Sequence, residues 1–236
     1  MSEHSHLDYQ QSYFDRRPGG NVRLEHSRSP YVLRHLDRMI AAAALDGGCR
    51  ILEVGAGLGR FTRLLVERGL DVVASDLSPR LLAQAAAQIP GLRTVASDSA
   101  TVGDQVHGVD RVIGFFMLHH LDDLDAVFAG LRRALVPGGR VAFCEPNAYC
   151  ALYYAQILLS PQMTWRGDGG VRHMRPSVVL GAMERAGIVE ARVERYGFTP
   201  PFVYNRSLGA ALDRALERVP VLEPVRAFQI FSARAP

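Results

Sequence analysis

The chain has 236 residues, enough for one α/β domain with a full core and modest additions. Its hydrophobic content of 48% and charged content of 22% are ordinary for a globular protein, and a net charge of +3 is too mild to argue for nucleic acid. All 27 basic residues are arginine, so Schiff-base lysine chemistry, ordinary pyridoxal-phosphate catalysis and a Walker A lysine are excluded.

The three cysteines, Cys49, Cys144 and Cys150, lack C-x-x-C spacing, and neither a disulfide framework nor a zinc site is expected. Residues 1 to 8 contain no apolar h-region. The apolar run Ala148 to Leu159 is shorter than the roughly 20 residues that a bilayer demands. The expectation is a cytoplasmic protein without a transmembrane segment.

Residues 1–48 read as a helical N-terminal cap. Tyr9, Tyr13 and Phe14 form a small apolar face, broken by Arg16-Arg-Pro-Gly-Gly20. Pro30 to Leu45 follow as an amphipathic helix with Val32, Leu33, Leu36, Met39 and Ile40 on its stripe. The segment either packs on the sheet or closes over a ligand, and Tyr13 is then the closing aromatic.

Residues 49–145 alternate strand and helix, which predicts right-handed crossovers and a parallel sheet. Ile51 to Val54 are a short strand, Gly55, Gly57 and Gly59 a glycine-rich turn, and Phe61 begins a helix. Glycines let a ligand approach the backbone, while the helix N-terminus offers unpaired N–H groups. A dinucleotide fingerprint would have Gly or Ala three residues after Gly57, where this chain has Arg60. The strand also ends in Glu53, which repels phosphate but suits an ammonium or sulfonium group.

This E-x-G-x-G-x-G stretch resembles motif I of class I S-adenosylmethionine (SAM) dependent methyltransferases. The resemblance implies a Rossmann-like, doubly wound, mostly parallel seven-stranded sheet with an antiparallel last strand. It also implies cofactor contacts from Glu53, Gly55, Ala56 and Gly57.

Further motifs lie at successive strand ends. Asp71 to Ser75 form a strand ending at Asp76 and Leu77, with Asp76 placed for ribose hydroxyls about twenty residues after the glycines. Ser78-Pro79 then start a helix as N-cap and first residue. Leu92 to Ala96 end at Asp98 and Ser99, where the family commonly meets the adenine amino group. Val109 to Met117 end in Phe116-Met-Leu-His-His-Leu121, which in the family lines the methionine side of the cofactor. After a helix from Leu124 to Leu135, Leu-Val-Pro-Gly-Gly139 resembles the family's turn before a fifth strand, Arg140 to Cys144.

Residues 146–176 read as a lid or acceptor-pocket insertion, because loops at this sheet edge carry function. Asn147, Tyr149, Trp165 and His120 are the candidate acceptor contacts. Residues 177–236 complete the sheet, with strands Ile188 to Tyr196 and Ala227 to Arg234. Between them Leu208 to Val219 are amphipathic, with Leu212, Leu216 and Val219 as apolar positions.

Methyl transfer from a sulfonium is an in-line displacement, and a base is needed only for a protonated acceptor. Glu145, His119, His120 and His173 stand near the expected site, and His173 or Glu145 is the expected base. The (Asp/Asn)-Pro-Pro-(Tyr/Phe) segment of nucleic-acid amino-methylating enzymes is missing after the fourth strand. The expectation is therefore a small organic or lipid-like acceptor, O-methylation ahead of N- or C-methylation. No metal is expected, and a homodimer is the candidate assembly. A nicotinamide oxidoreductase and a non-catalytic SAM-binding protein are the alternatives.

Overall fold

The computed structural model describes residues 28–159 and 163–236. Parallel strands covered on both faces need near-continuous apolar runs. Those runs become β1 (Arg50–Val54), β2 (Asp71–Asp76), β3 (Arg93–Ala96), β4 (Val109–Phe115) and β5 (Leu135–Pro146). With β6 (Val189–Tyr196) and β7 (Phe228–Arg234) they build one seven-stranded sheet in the order β3-β2-β1-β4-β5-β7-β6. The first five strands pair in parallel, and β7 runs antiparallel to both β5 and β6. The chain leaves β1 towards β2 on one side and returns to β4 on the other. Ligands bind at such a switch point, outside the carboxyl ends of the strands.

Successive strand residues face opposite sides, so adjacent apolar residues feed two separate cores. Ile51, Val72, Ile113 and Ala142 pack with α1 (Pro30–Ala43) and α2 (Arg60–Glu67). Leu52, Val73, Val112, Val141 and Phe143 pack on the other side with α4 (Leu124–Ala134) and α7 (Pro176–Arg185). Between them in the chain lie α3 (Pro79–Gln88), α5 (Ala151–Leu159) and the one-turn α6 (Trp165–Asp168). Ser78 caps α3 as the sequence indicates, its Oγ accepting from Leu81 N at 3.3 Å, and an Asp123 carboxylate oxygen caps α4 by accepting from Ala126 N at 3.0 Å. No described helix is long and apolar enough to cross a membrane.

Two elements depart from the sequence reading. The expected turn at Val136 to Gly139 lies inside β5: Leu135 already pairs with Val109, and the register shifts before Arg140 joins Arg111. Gly138 adopts φ +76° and donates to Ala235 O at 3.1 Å, while Ala235 N donates to Gly139 O at 2.7 Å. The chain end thus pairs with what would otherwise be an open turn.

The second departure is α9 (Ser207–Glu217), which follows the one-turn α8 (Pro201–Tyr204). Its apolar positions are poorly covered, with Leu212 52% exposed, Leu208 84% exposed and Leu216 half-buried, and its buried residues are Gly209 and Asp213. A Cβ at Gly209 would stand 1.9 Å from Val203 O, so the glycine lets the two helices close together. Asp213 Oδ1 accepts from Phe198 N at 2.9 Å and from Thr199 N and Oγ1, both at 2.7 Å. Its Oδ2 pairs with Arg34 of α1 at 2.7 Å. Burial acts to raise the Asp213 pKa, but the Thr199 bonds and the Arg34 charge prevail and hold it below the ordinary value. A polar anchor, rather than the leucines, docks this helix.

Removing one partner of a buried ion pair typically costs about 3–5 kcal/mol. Asp213→Ala should lower unfolding free energy by about that much in a denaturant titration. Leu212→Ala, on the exposed stripe, should stay within about 0.5 kcal/mol of the parent. The reverse ranking would show that the apolar stripe carries the docking.

Candidate active site

The carboxyl ends of β1, β2 and β4 converge on the glycine loop. Gly55, Gly57 and Gly59 all have positive φ, at +67°, +54° and +77°. Their reasons differ. A Cβ on Gly55 would lie 2.7 Å from Met117 Cβ, so this glycine lets the loop reach the end of β4. A Cβ on Gly57 would meet no described atom within 4 Å, so the loop here borders open space at the sheet's ligand edge. Asp76 fastens the loop from the next strand: Oδ2 accepts from Gly57 N at 2.8 Å and Oδ1 from Ser78 N at 2.9 Å. Ala56 N donates to Ser75 O at 3.0 Å, completing the clasp.

Glu53 is buried at the end of β1, and its Oε2 has no hydrogen-bond partner among the described residues. Burial, and then the nearby Asp76 charge, push its pKa up to about 7 against the lowering effect of the Thr62 hydroxyl. An orphaned buried carboxyl is costly unless a partner arrives. Leu77, Asp98 and Ser99 are half-buried at the neighbouring strand ends, and Asp98 Oδ1 accepts from Ala100 N at 3.0 Å. Tyr13 lies outside the described residues.

After β4 the backbone enters a strained turn. Phe116 takes φ +55°, a left-handed conformation that bulky residues rarely adopt and that clusters at functional sites. The fold holds it there with a Phe116 N to Cys144 O bond of 2.8 Å and with the Glu145 carboxylate. Glu145 Oε1 accepts from Met117 N at 2.8 Å and from Leu118 N at 2.7 Å, and Oε2 contacts His119 Nδ1 at 2.6 Å. The side chain is fully buried. The carboxylate expected as a base is thus placed where it positions the β4 turn and the His119 ring.

Other residues singled out in the sequence are placed as follows. Asn147, expected to touch the acceptor, is fully buried and donates to Pro224 O at 2.8 Å and Arg226 O at 2.7 Å. Its Oδ1 accepts from Tyr149 N at 3.1 Å, so the side chain is consumed in fixing β5 to the segment before β7. His173 is exposed and accepts from Arg172 Nε at 2.9 Å; burial and then Arg172 and Arg175 lower its pKa. It ends the turn Gly169–His173 rather than joining the ring cluster at His119. Finally, α5 buries Ile157 alone, and Tyr149 and Trp165 are each half exposed. Trp165 stacks on Tyr154, with ring centroids 6.1 Å apart.

The insertion lies against the β4 turn. A Cβ on Gly170 would stand 1.8 Å from His119 O, so only glycine admits this contact. That brings Asp168, which is buried, to His119 and His120: one ligand atom from each falls within 4.8 Å of the others. Sequence reading named both histidines but missed Asp168, because nothing local ties residue 168 to residue 119.

A family described as "Methyltransferase domain" matches residues 52–141, covering β1 to β5. The chain is 35% identical over 117 residues to an uncharacterized methyltransferase of Mycobacterium bovis, spanning 50% of this chain and 46% of that protein. It is 30% identical over 138 residues to the demethylmenaquinone methyltransferase of Beutenbergia cavernae, spanning 53% and 58% respectively. The chain thus spans about half the length of the curated relatives it matches. A SAM-dependent methyltransferase from Archaeoglobus fulgidus superposes with TM-score 0.64 at 16% identity, over 90% of this chain and 96% of that one. Residues 52–141 thus resemble a methyltransferase domain, and the fold is that of SAM-dependent methyltransferases of known structure.

The cofactor of class I methyltransferases is SAM, and the residues present fit it. Gly57 leaves space beside a backbone N–H loop, Asp76 offers a carboxylate to a ribose, and Glu53 offers an unmatched carboxyl to a cationic amino acid moiety.

A pH dependence follows from Glu53. An ammonium partner favours the carboxylate, so affinity for S-adenosylhomocysteine should rise as pH rises through about 7. Between pH 6 and pH 8 the dissociation constant should tighten by about tenfold, the limit for one titrating group with a pKa near 7. Glu53→Gln should flatten the profile. An unchanged slope in that variant would place the titrating group elsewhere.

Proposed function

We propose that the protein transfers the methyl group of SAM to a small organic acceptor, with oxygen favoured over nitrogen or carbon as the methylated atom. The observation that carries this reading is the division of the sheet edge into two adjoining halves. On the β1–β2 side lie the glycine loop, Glu53 and Asp76. On the β4–β5 side lies a wall of His119 and His120, held by Glu145 and covered by the insertion. A nicotinamide reading is disfavoured, because Arg60 stands at the last position of the dinucleotide fingerprint and Glu53 repels phosphate.

Transfer is an in-line displacement, in which orientation alone can supply about 7–11 kcal/mol. The glycine loop and Asp76 hold the donor half. On the acceptor half, Tyr149, Tyr154 and Trp165 offer aromatic surface to an organic or lipid-like molecule. The polar group facing that side is the His119–His120–Asp168 cluster. Imidazoles assist an acceptor that must shed or weaken an O–H bond, and give little help to a carbon acceptor. This contrast supports oxygen over carbon as the methylated atom.

The cluster, rather than His173, should control turnover. Once an acceptor has been found by screening, His120→Ala should lower kcat by about a hundredfold or more, the ordinary size of an acid–base or polarising contribution. His173→Ala should change kcat less than about threefold, as expected for an exposed ring outside the site. Affinity for S-adenosylhomocysteine should hold in both. Loss of turnover in His173→Ala alone would return the base to that residue.

A further inference from the structure

His119, His120 and Asp168 have a property that the methyl-transfer reading does not use. Adjacent residues on a helical turn normally point apart. Here the His119 and His120 rings converge, with centroids 4.0 Å apart, on the turn Leu118–His120. Asp168, from the insertion, enters the same space although 48 residues separate it from His120 in sequence (168 − 120). We propose that these three side chains form a binding site for a first-row divalent cation of the zinc class, open to the acceptor on its remaining side.

The donor chemistry supports this choice. Two imidazoles and one carboxylate form the set used by open, three-ligand metal sites, in which a water or substrate takes the remaining position. Oxygen-only cations such as Ca²⁺ are not matched by two imidazoles. Metal-bound histidine almost always gives its other nitrogen to a carboxylate or carbonyl, which fixes tautomer and ring orientation. His119 has that arrangement: Nδ1 lies 2.6 Å from Glu145 Oε2, so Nε2 is the atom it presents to an ion. Asp168 is oriented in turn, its Oδ2 accepting from Thr164 N at 2.9 Å.

The dimensions are close to what a metal needs. Zn–N bonds of about 2.0–2.1 Å place tetrahedral ligands roughly 3.4 Å apart. The three ligand atoms lie within 4.8 Å of one another, so modest side-chain rotation closes the set. Burial protects the site: His119 and Asp168 are buried and His120 is half-buried. In the role that rests on the proposed methyl transfer, the ion binds the acceptor oxygen and lowers its pKa. The hydroxyl proton then leaves to solvent, and the oxygen lone pair forms the new bond to the methyl carbon as the sulfonium C–S bond breaks.

The test is metal titration of the full chain after chelator treatment and desalting, using Co²⁺ absorbance and Zn²⁺ calorimetry. One equivalent should bind. His120→Ala and Asp168→Asn should each weaken binding at least tenfold, and Glu145→Gln by about 10–100-fold through the lost support of His119. A variant with His4, His6 and His26 changed to Ala should keep the site. Thermal melts and S-adenosylhomocysteine titration serve as fold controls. Absence of binding in the parent, or binding that survives His120→Ala and Asp168→Asn but is lost with the three N-terminal histidines, would overturn the proposal. Normal metal binding without cofactor binding would instead sink the methyl-transfer reading and leave the metal site standing.

Discussion

The Glu145 carboxylate is the contact on which the rest of the site depends. It sits, fully buried, at the carboxyl end of β5 and gathers Met117 N, Leu118 N and His119 Nδ1. A buried carboxylate is tolerated when donors compensate its charge. Those three contacts do so, and they hold the chain after β4 in the left-handed turn at Phe116. The turn in turn sets Met117 against Gly55, so the cofactor loop and the histidine wall share one support. Glu145 thus links the turn after β4, and through Met117 the glycine loop, to the end of β5.

Charge separates those halves. On the donor side two acidic groups, Glu53 and Asp76, face a loop of backbone N–H groups, which favours a cationic, ribose-bearing ligand over a pyrophosphate. Burial raises the Glu53 pKa to about 7, and a cationic ligand would favour its charged form. On the acceptor side the polar groups are imidazoles and a buried carboxylate, while the flanking surface is aromatic. On the proposed reading, one edge holds the sulfonium donor beside the acceptor.

Much of this was legible before any coordinates. The Glu53–Gly59 run specified a strand, turn and helix, because its glycine spacing and apolar periodicity are local properties. The strand ends at Asp76 and Asp98 were equally readable, each being an acidic residue between an apolar run and a turn. What was not legible depends on long-range packing. Glu145 and Asn147 look like site residues in sequence, yet three-dimensional contacts with residues about 28 and 77 positions away consume their polar atoms. The leucines of α9 obey helical periodicity, but tertiary bonds to Asp213 override it. Asp168 shows no local signal at all. The approach of Gly170 to His119 delivers it to the site, and sequence spacing does not encode that contact.

Titration calorimetry of the purified chain with S-adenosylhomocysteine, with NADH as control, is the most direct check on the donor half. Micromolar binding of S-adenosylhomocysteine with no heat from NADH is the expected result. Binding of NADH alone would contradict the assignment of the Glu53, Gly57 and Asp76 edge to SAM.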